Sequence, residues 1–280
     1  MTLRRLLSRR RVEHDAAAAP STPPVLFIHV MKTGGTTVMR NLRETYGLDE
    51  IYPYRALDIR YDEGRLDIQH HLSVPYLLAL PEERLRDIRV FTGHFPYVVR
   101  EMLGLELRAA TVLRDPVERT ISLLRQFRRK TTWMGVKGLA SPLTALTFEE
   151  VYEEPLVFGP LIHNHQTKIF SMTPADDPQT YMDMVDVDRT RLEQAKANLA
   201  EVDVVGLIER YDDFLDEVEA QFGWQIVRGA KKNATPATDL DPVDPALRRR
   251  IAEDNAIDVE FYEYAQGLVE LRRGSRRLDA

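Results

Sequence analysis

From Val25 onward, short apolar runs alternate with longer amphipathic ones. VLFIHV (Val25 to Val30), RVFTGH (Arg89 to His94), AATVLRD (Ala109 to Asp115) and VDVVGLIE (Val202 to Glu209) are short and rich in β-branched or aromatic residues. That pattern predicts strands buried on both faces. The first, third and fourth runs lead into helical patterns. TVMRNLRETYG puts Val38, Met39 and Leu42 on one face and ends at Gly47; PVERTISLLRQF opens on Pro116; YDDFLDEVEAQFG follows the last strand. Pro116 suits a first helical position, because its fixed φ is already helical and its missing N–H would have been unpaired there. Strands alternating with helices predict an α/β fold of three layers, a mostly parallel sheet flanked by helices.

The rhythm breaks in three places, which gives a provisional division of the chain. Residues 1–24 are basic and then Pro/Ala-rich (DAAAAPSTPP), a flexible lead into the fold. Residues 25–270 form the domain, with 129–183 as a less regular insertion and DPALRRRIAEDNAIDVEFYEYAQGLVEL as a helix or helix pair packed on the sheet. Residues 271–280 read as a solvated basic tail.

Composition narrows the partners. The net charge is −6 although Lys and Arg together number 38, so a general polyanion binder is disfavoured, nucleic acid is not expected, and any basic site must be local. The chain has no cysteine, which excludes disulfides and thiolate metal sites and fits a reducing compartment. With no transmembrane run and no apolar leader, a soluble cytoplasmic protein is expected. The one membrane feature is the N-terminal group Arg4, Arg5, Arg9, Arg10 and Arg11 around Leu3, Leu6 and Leu7, which could make a weak contact with an anionic lipid surface.

Chemistry concentrates after the first strand. Lys32, Thr33, Gly34, Gly35, Thr36 and Thr37 stand between a strand and a helix start, where backbone N–H groups and the helix dipole cradle phosphate and Lys32 adds a compact positive charge. The order differs from GxxxxGK[ST], since the lysine precedes the glycines, so a Mg²⁺-dependent kinase fits less well. In VLRDPVERTISLLRQF, Arg114 ends a strand and Ser122 follows about two helical turns on, a guanidinium and a hydroxyl suited to a second phosphate.

These two segments together resemble the sulfotransferases that use 3′-phosphoadenosine 5′-phosphosulfate (PAPS). The likeness is greatest to the carbohydrate branch that includes the uronosyl 2-O-sulfotransferases, in a bacterial-type soluble form. FIHVMKTGGTTV resembles their 5′-phosphosulfate loop and LRDPVERTISLL their 3′-phosphate segment. The likeness extends more weakly through TGHFPY, NHQTK and VGLIERYDDFLDEV to about Gly267. It implies a nucleotide-binding fold related to the P-loop proteins, PAPS as donor, no metal, and an acceptor hydroxyl on a sugar, glycolipid or small metabolite. It also aligns His94 with a catalytic histidine. Met31 stands where the family often has Pro, Thr37 where it often has Ser, and Thr92 where the uronosyl branch tends to carry a second histidine. The last departure leaves the acceptor and the proton transfer open.

The candidate roles follow from the chemistry of sulfuryl transfer. Lys32 would stabilise the leaving oxygen and His94, at a strand end, would take the hydroxyl proton. Thr33 to Thr37, Arg114 and Ser122 would bind the donor, and the insertion 129–183 would wall the acceptor site. Asn164, Gln166 and Thr167 read equally as acceptor-side groups or as a polar loop. Arg125, Arg128, Arg129 and Lys130 read first as a solvated helix end, Lys231 and Lys232 as a donor-covering loop, and Glu209 as a structural carboxylate. The pairs His70/His71 and His163/His165 lack the spacing of a metal site. Two other readings remain: an ATP-using phosphotransferase of the P-loop class, and a nucleotide-binding adaptor without turnover.

Overall fold

The structure, a computed structural model, describes residues 22–47, 49–53, 72–129, 143–228 and 242–279. The basic N-terminal group, His70, His71, Lys130, the first part of the insertion, Lys231 and Lys232 lie outside the described residues, so the roles expected of them have no structural account.

Among the described residues, five parallel strands make the sheet: β1 (Val25–Ile28), β2 (Ile51–Tyr52), β3 (Val90–Gly93), β4 (Arg108–Leu113) and β5 (Val204–Leu207), in the order β2-β3-β1-β4-β5. Its seven main helices are α1 (Gly35–Thr45), α2 (Pro116–Arg129), α3 (His165–Ser171), α4 (Arg189–Ala200), α5 (Tyr211–Phe222), α6 (Pro245–Asp254) and α7 (Ala256–Asp279). The four strands expected from the apolar runs are present. β2 was not foreseen, because two residues carry no periodicity; Arg89 and Val90 N–H groups recruit it through the Glu50 carbonyl, at 2.6 and 3.0 Å.

Alternation along β1 builds two cores. Val25 and Phe27 join Val38, Leu42, Phe214 and Trp224 on one face, while Leu26 and Ile28 join Phe91, Leu124, Phe170 and Phe261 on the other. Each of these side chains is buried, so both faces are covered, as the continuous apolar runs imply. The order in which the chain visits the sheet fixes where a site can form. It runs from β1 out to the edge, returns to β3 beside β1, then crosses to β4 on the other flank, so the carboxyl ends of β3, β1 and β4 lie side by side at a topological switch point.

The C-terminal helices are a pair, separated at Asn255, whose side chain accepts from Asn164 N–H at 2.8 Å and donates to the Ile251 carbonyl at 2.8 Å. The expected basic tail is corrected from residue 271: α7 runs on to Asp279. Arg272 donates to the carbonyls of Ala200 and Val202, both at 2.7 Å, and Arg273 to Asp213 at 2.9 Å, so these arginines find internal partners that hold the helix in place.

The NHQTK segment is a buried helix start rather than a loop. Asn164 takes a left-handed conformation (φ 45°) and enters α3, all of whose residues are buried. The first N–H groups of a helix have no intrahelical partner. Here Asp258 of α7 supplies one, accepting from Gln166 N–H (3.0 Å), Thr167 N–H (2.7 Å) and the Thr167 hydroxyl (2.7 Å). Burial pushes the Asp258 carboxyl up, while Arg119 and these hydrogen bonds favour its charged form. Arg119, fully buried on α2, donates to the carbonyls of Leu161 and Ile162, and burial pulls it down to about 10.

Asp258→Ala should lower the unfolding free energy by about 3–5 kcal/mol, since it leaves the buried donors of Gln166 and Thr167 unmet and removes the negative charge that favours the buried Arg119 guanidinium. Urea denaturation of the variant beside the wild type checks this, and a loss under 1 kcal/mol would contradict it.

Candidate active site

The loop after β1, where an anion cradle was expected, is a tight turn into α1, and its two glycines have different tasks. Lys32 (φ 67°) and Gly34 (φ 90°) are both left-handed, which turns the chain sharply into α1. A side chain at Gly34 would meet Ile208 Cδ1 at 2.6 Å as well as carrying the conformational strain. Gly35 is needed for a different reason: a Cβ there would stand 2.2 Å from Cδ2 of His29. Thr33 locks the turn by donating its hydroxyl to the Val30 carbonyl at 2.8 Å, and Thr37 N–H closes it onto the Gly34 carbonyl at 3.2 Å. Thr36 lies at the helix start, half-buried.

Arg114 leaves the end of β4 toward this loop and donates from Nη1 to the Lys32 carbonyl at 3.3 Å. Its backbone is held at both ends by Gln166, which accepts from Arg114 N–H at 3.1 Å and donates to the Arg114 carbonyl at 2.8 Å. Arg114 Nε is buried and finds no hydrogen-bond partner among the described residues. Burial lowers the pKa of this guanidinium, opposed by Glu118, Glu209 and Asp115. Ser122 is half-buried on α2, and Gln126, one turn further along the same face, accepts from Lys32 Nζ at 2.5 Å. An anionic ligand fits these groups: a left-handed turn at a helix start, a nearby lysine and a buried guanidinium N–H that lacks an acceptor among the described residues.

His94 directly follows β3, at the same end of the sheet. Its Nδ1 lies 2.7 Å from the His29 carbonyl, so the neutral ring donates there and carries its lone pair on Nε2. His29 stacks on it, with ring centroids 4.2 Å apart, and Tyr181 covers it at 5.0 Å. Phe27 extends the file behind His29 at 5.9 Å, and His165 meets Tyr181 edge-on at 5.9 Å.

Lys32, Arg114 and His94 therefore follow three adjacent strands at one end of the sheet. No protein-family model matches the chain. It is 28% identical over 284 residues to heparan-sulfate 6-O-sulfotransferase 2 of Danio rerio, covering 87% of this chain and 57% of the relative. It is 26% identical over 285 residues to heparan-sulfate 6-O-sulfotransferase 1 of Homo sapiens, covering 90% of this chain and 67% of the relative. The chain thus spans less than two thirds of the Danio rerio protein's length. Among solved structures, mouse sulfotransferase SULT7A1 complexed with PAP matches with a TM-score of 0.35 and 13% identity over 83% of this chain and 63% of that one, too slight a likeness to bear on the site.

Two expectations are corrected by the curated relatives. They are 6-O-sulfotransferases, where the motifs resembled the uronosyl 2-O branch and a bacterial-type form. They are also enzymes named for heparan sulfate, which overturns the cytoplasmic localisation. That expectation leaned on the lack of cysteine, and a cysteine-free chain is equally compatible with an oxidising compartment. Among the described residues, no helix is long and apolar enough to cross a membrane.

Other candidates sort themselves by their contacts. Asn164, Gln166 and Thr167 are internal framework, each at most 3% exposed and bonded to Asp258, Asn255 or Arg114. Glu209 accepts from the Tyr262 hydroxyl at 2.5 Å, which makes it a structural carboxylate. His163 and His165 turn to different partners, Asn164 and the Pro160 carbonyl. Arg128 lies over the Phe148 ring at 4.7 Å. Sequence reasoning missed His29, Gln126 and Tyr181. The signal for His29 was present, an imidazole in an otherwise apolar strand run and two residues after Phe27; Gln126 and Tyr181 had none.

Gly35→Ala should cost about 1–2 kcal/mol of stability, because forcing His29 aside outweighs the roughly 1 kcal/mol gained in helix propensity. Urea denaturation decides it; stability equal to or above the wild type would mean that the His29 ring steps aside freely.

Proposed function

We propose that this protein is a PAPS-dependent sulfotransferase that transfers a sulfuryl group to a hydroxyl of a glycan. The observation that carries the reading is the convergence of Lys32, Arg114 and His94 at the switch point of the sheet, with Arg114 Nε buried and without a hydrogen-bond partner among the described residues. The curated relatives, named for sulfation of heparan sulfate, support both the reaction and the glycan class of acceptor. Because those relatives are 6-O enzymes, the uronosyl 2-O assignment is not carried forward.

In this reading the residues Lys32 to Thr37 hold the 5′-phosphosulfate, and Arg114 with Ser122 holds the 3′-phosphate. The bound donor supplies the electrophilic sulfur. His94 Nε2 removes the proton from the acceptor hydroxyl as its oxygen bonds to sulfur. The bond from sulfur to the bridging oxygen breaks, and Lys32 meets the charge that develops on that oxygen, leaving 3′,5′-diphosphoadenosine and the sulfate ester. The backbone cradle and guanidinium supply the positive field, so the proposal needs no metal.

Calorimetry should find 3′,5′-diphosphoadenosine bound far more tightly than ADP, with Arg114→Ala removing most of the preference, since a charge-assisted bond is worth about 1.5–3 kcal/mol. Equal affinities in the native protein would defeat the donor assignment.

Single-turnover transfer should separate the two catalytic roles. His94→Ala should reduce the rate by about 10²- to 10⁴-fold with donor affinity nearly unchanged, whereas Lys32→Ala should weaken both. EDTA should leave the wild-type rate intact. A rate that collapses on chelation and returns with Mg²⁺ would favour the ATP-using phosphotransferase instead.

A further inference from the structure

Lys168 on α3 is 1% exposed, and nothing in the proposed chemistry uses it. An apolar side chain of similar length would fill the space without the desolvation that a buried ammonium suffers. What an apolar chain could not do is bind two backbone segments at once. Lys168 Nζ donates to the Pro160 carbonyl at 2.7 Å and to the Asp183 carbonyl at 3.0 Å. Pro160 belongs to a π-helical turn, Phe158–Ile162, and its carbonyl also lies 3.2 Å from His165 Nδ1. Asp183 ends a tight loop, its carboxylate accepting from the N–H groups of Gln179 (2.5 Å) and Thr180 (2.9 Å).

Between Thr180 and Asp183 sits Tyr181, whose ring is wedged between His94 and His165. The loop is closed by Asp183's own carboxylate and anchored by Asp183's carbonyl, so the position of Tyr181 follows the anchor. We infer that Lys168 is a positioning residue: it pins the loop that presses Tyr181 onto His94, and thereby fixes the ring that faces the acceptor. This rests on the role of His94 proposed above.

The surroundings favour a lasting clasp. Burial and Arg119 lower the ammonium to about 7, while Asp183 and Asp258 hold it up. His165, fully buried, is held well below its ordinary value by burial, Arg119, Lys168 and His94, and stays neutral. A neutral amine still has two N–H groups, so the bonds to both carbonyls survive the loss of a proton.

The test compares Lys168→Met, which removes both donors, with Lys168→Gln, which keeps two N–H groups without charge. Lys168→Met should lower kcat by about 10- to 100-fold through misplacement of the base, leave the affinity for 3′,5′-diphosphoadenosine unchanged, and displace the His94 imidazole signals in NMR. Lys168→Gln should restore part of the loss. If Lys168→Met does not fold, Tyr181→Leu takes its place, with the same loss in kcat and the same displacement of His94 expected. Wild-type kcat and wild-type His94 signals in whichever variant folds would overturn the inference, as would a loss of stability that leaves the His94 signals in place. Should the wild type transfer no sulfuryl group, the proposed function fails by itself, and the NMR comparison still decides whether Lys168 positions His94.

Discussion

The pairing of β1 with a parallel strand on each side is the constraint from which the rest follows. In register, Val25 to Ile28 face Val90 to Gly93 on one flank and Arg108 to Thr111 on the other. Three chain segments are thereby obliged to leave the sheet at the same end and at neighbouring positions. Lys32, His94 and Arg114 are close because their strands are hydrogen-bonded side by side, and the helix dipole of α1 points at the same place. A shift of register by one residue would turn Phe27 and His29 to the opposite face and dismantle both cores together with the site.

Much of this was legible in the sequence, because the strands are continuous apolar runs and the turns are marked by Gly and Pro. Lys32, His94 and Arg114 could be placed at one end of the sheet because each stands at or shortly after the end of such a run. The buried polar layer could not. Asn164 to Lys168 look like a surface loop by composition, and only their distant partners make them interior: Asp258, Asn255 and Arg114 lie more than forty residues away in sequence, at separations such as the 91 between Thr167 and Asp258. Tyr181 was equally hidden, as nothing local ties it to His94. The tail was misread because arginines normally mark solvent, whereas Arg272 reaches carbonyls that α4 and the turn before β5 leave unpaired.

Two kinds of order thus meet at the site. One side is backbone geometry, a left-handed turn and a helix start, and tolerates little beyond glycine at Gly34 and Gly35. The opposite side is a file of rings, Phe27, His29, His94, Tyr181 and His165, braced by buried hydrogen bonds. Rings in contact transmit displacement from one to the next, since a close-packed interior has no slack to absorb it.

The clasp that Arg272 makes on Ala200 and Val202 has a bearing on synthesis at the ribosome. Domains fold as units while the chain emerges from its N-terminus. Here β5 is secured by an arginine that is translated some seventy residues after it, and α3 is capped by an aspartate about ninety residues downstream. The nascent chain can therefore stack β1, β3 and β4 early, but the polar layer around the start of α3 stays open until α7 has emerged. In that interval the first N–H groups of α3 still face water, and the docking of α7 brings the carboxylate that replaces it.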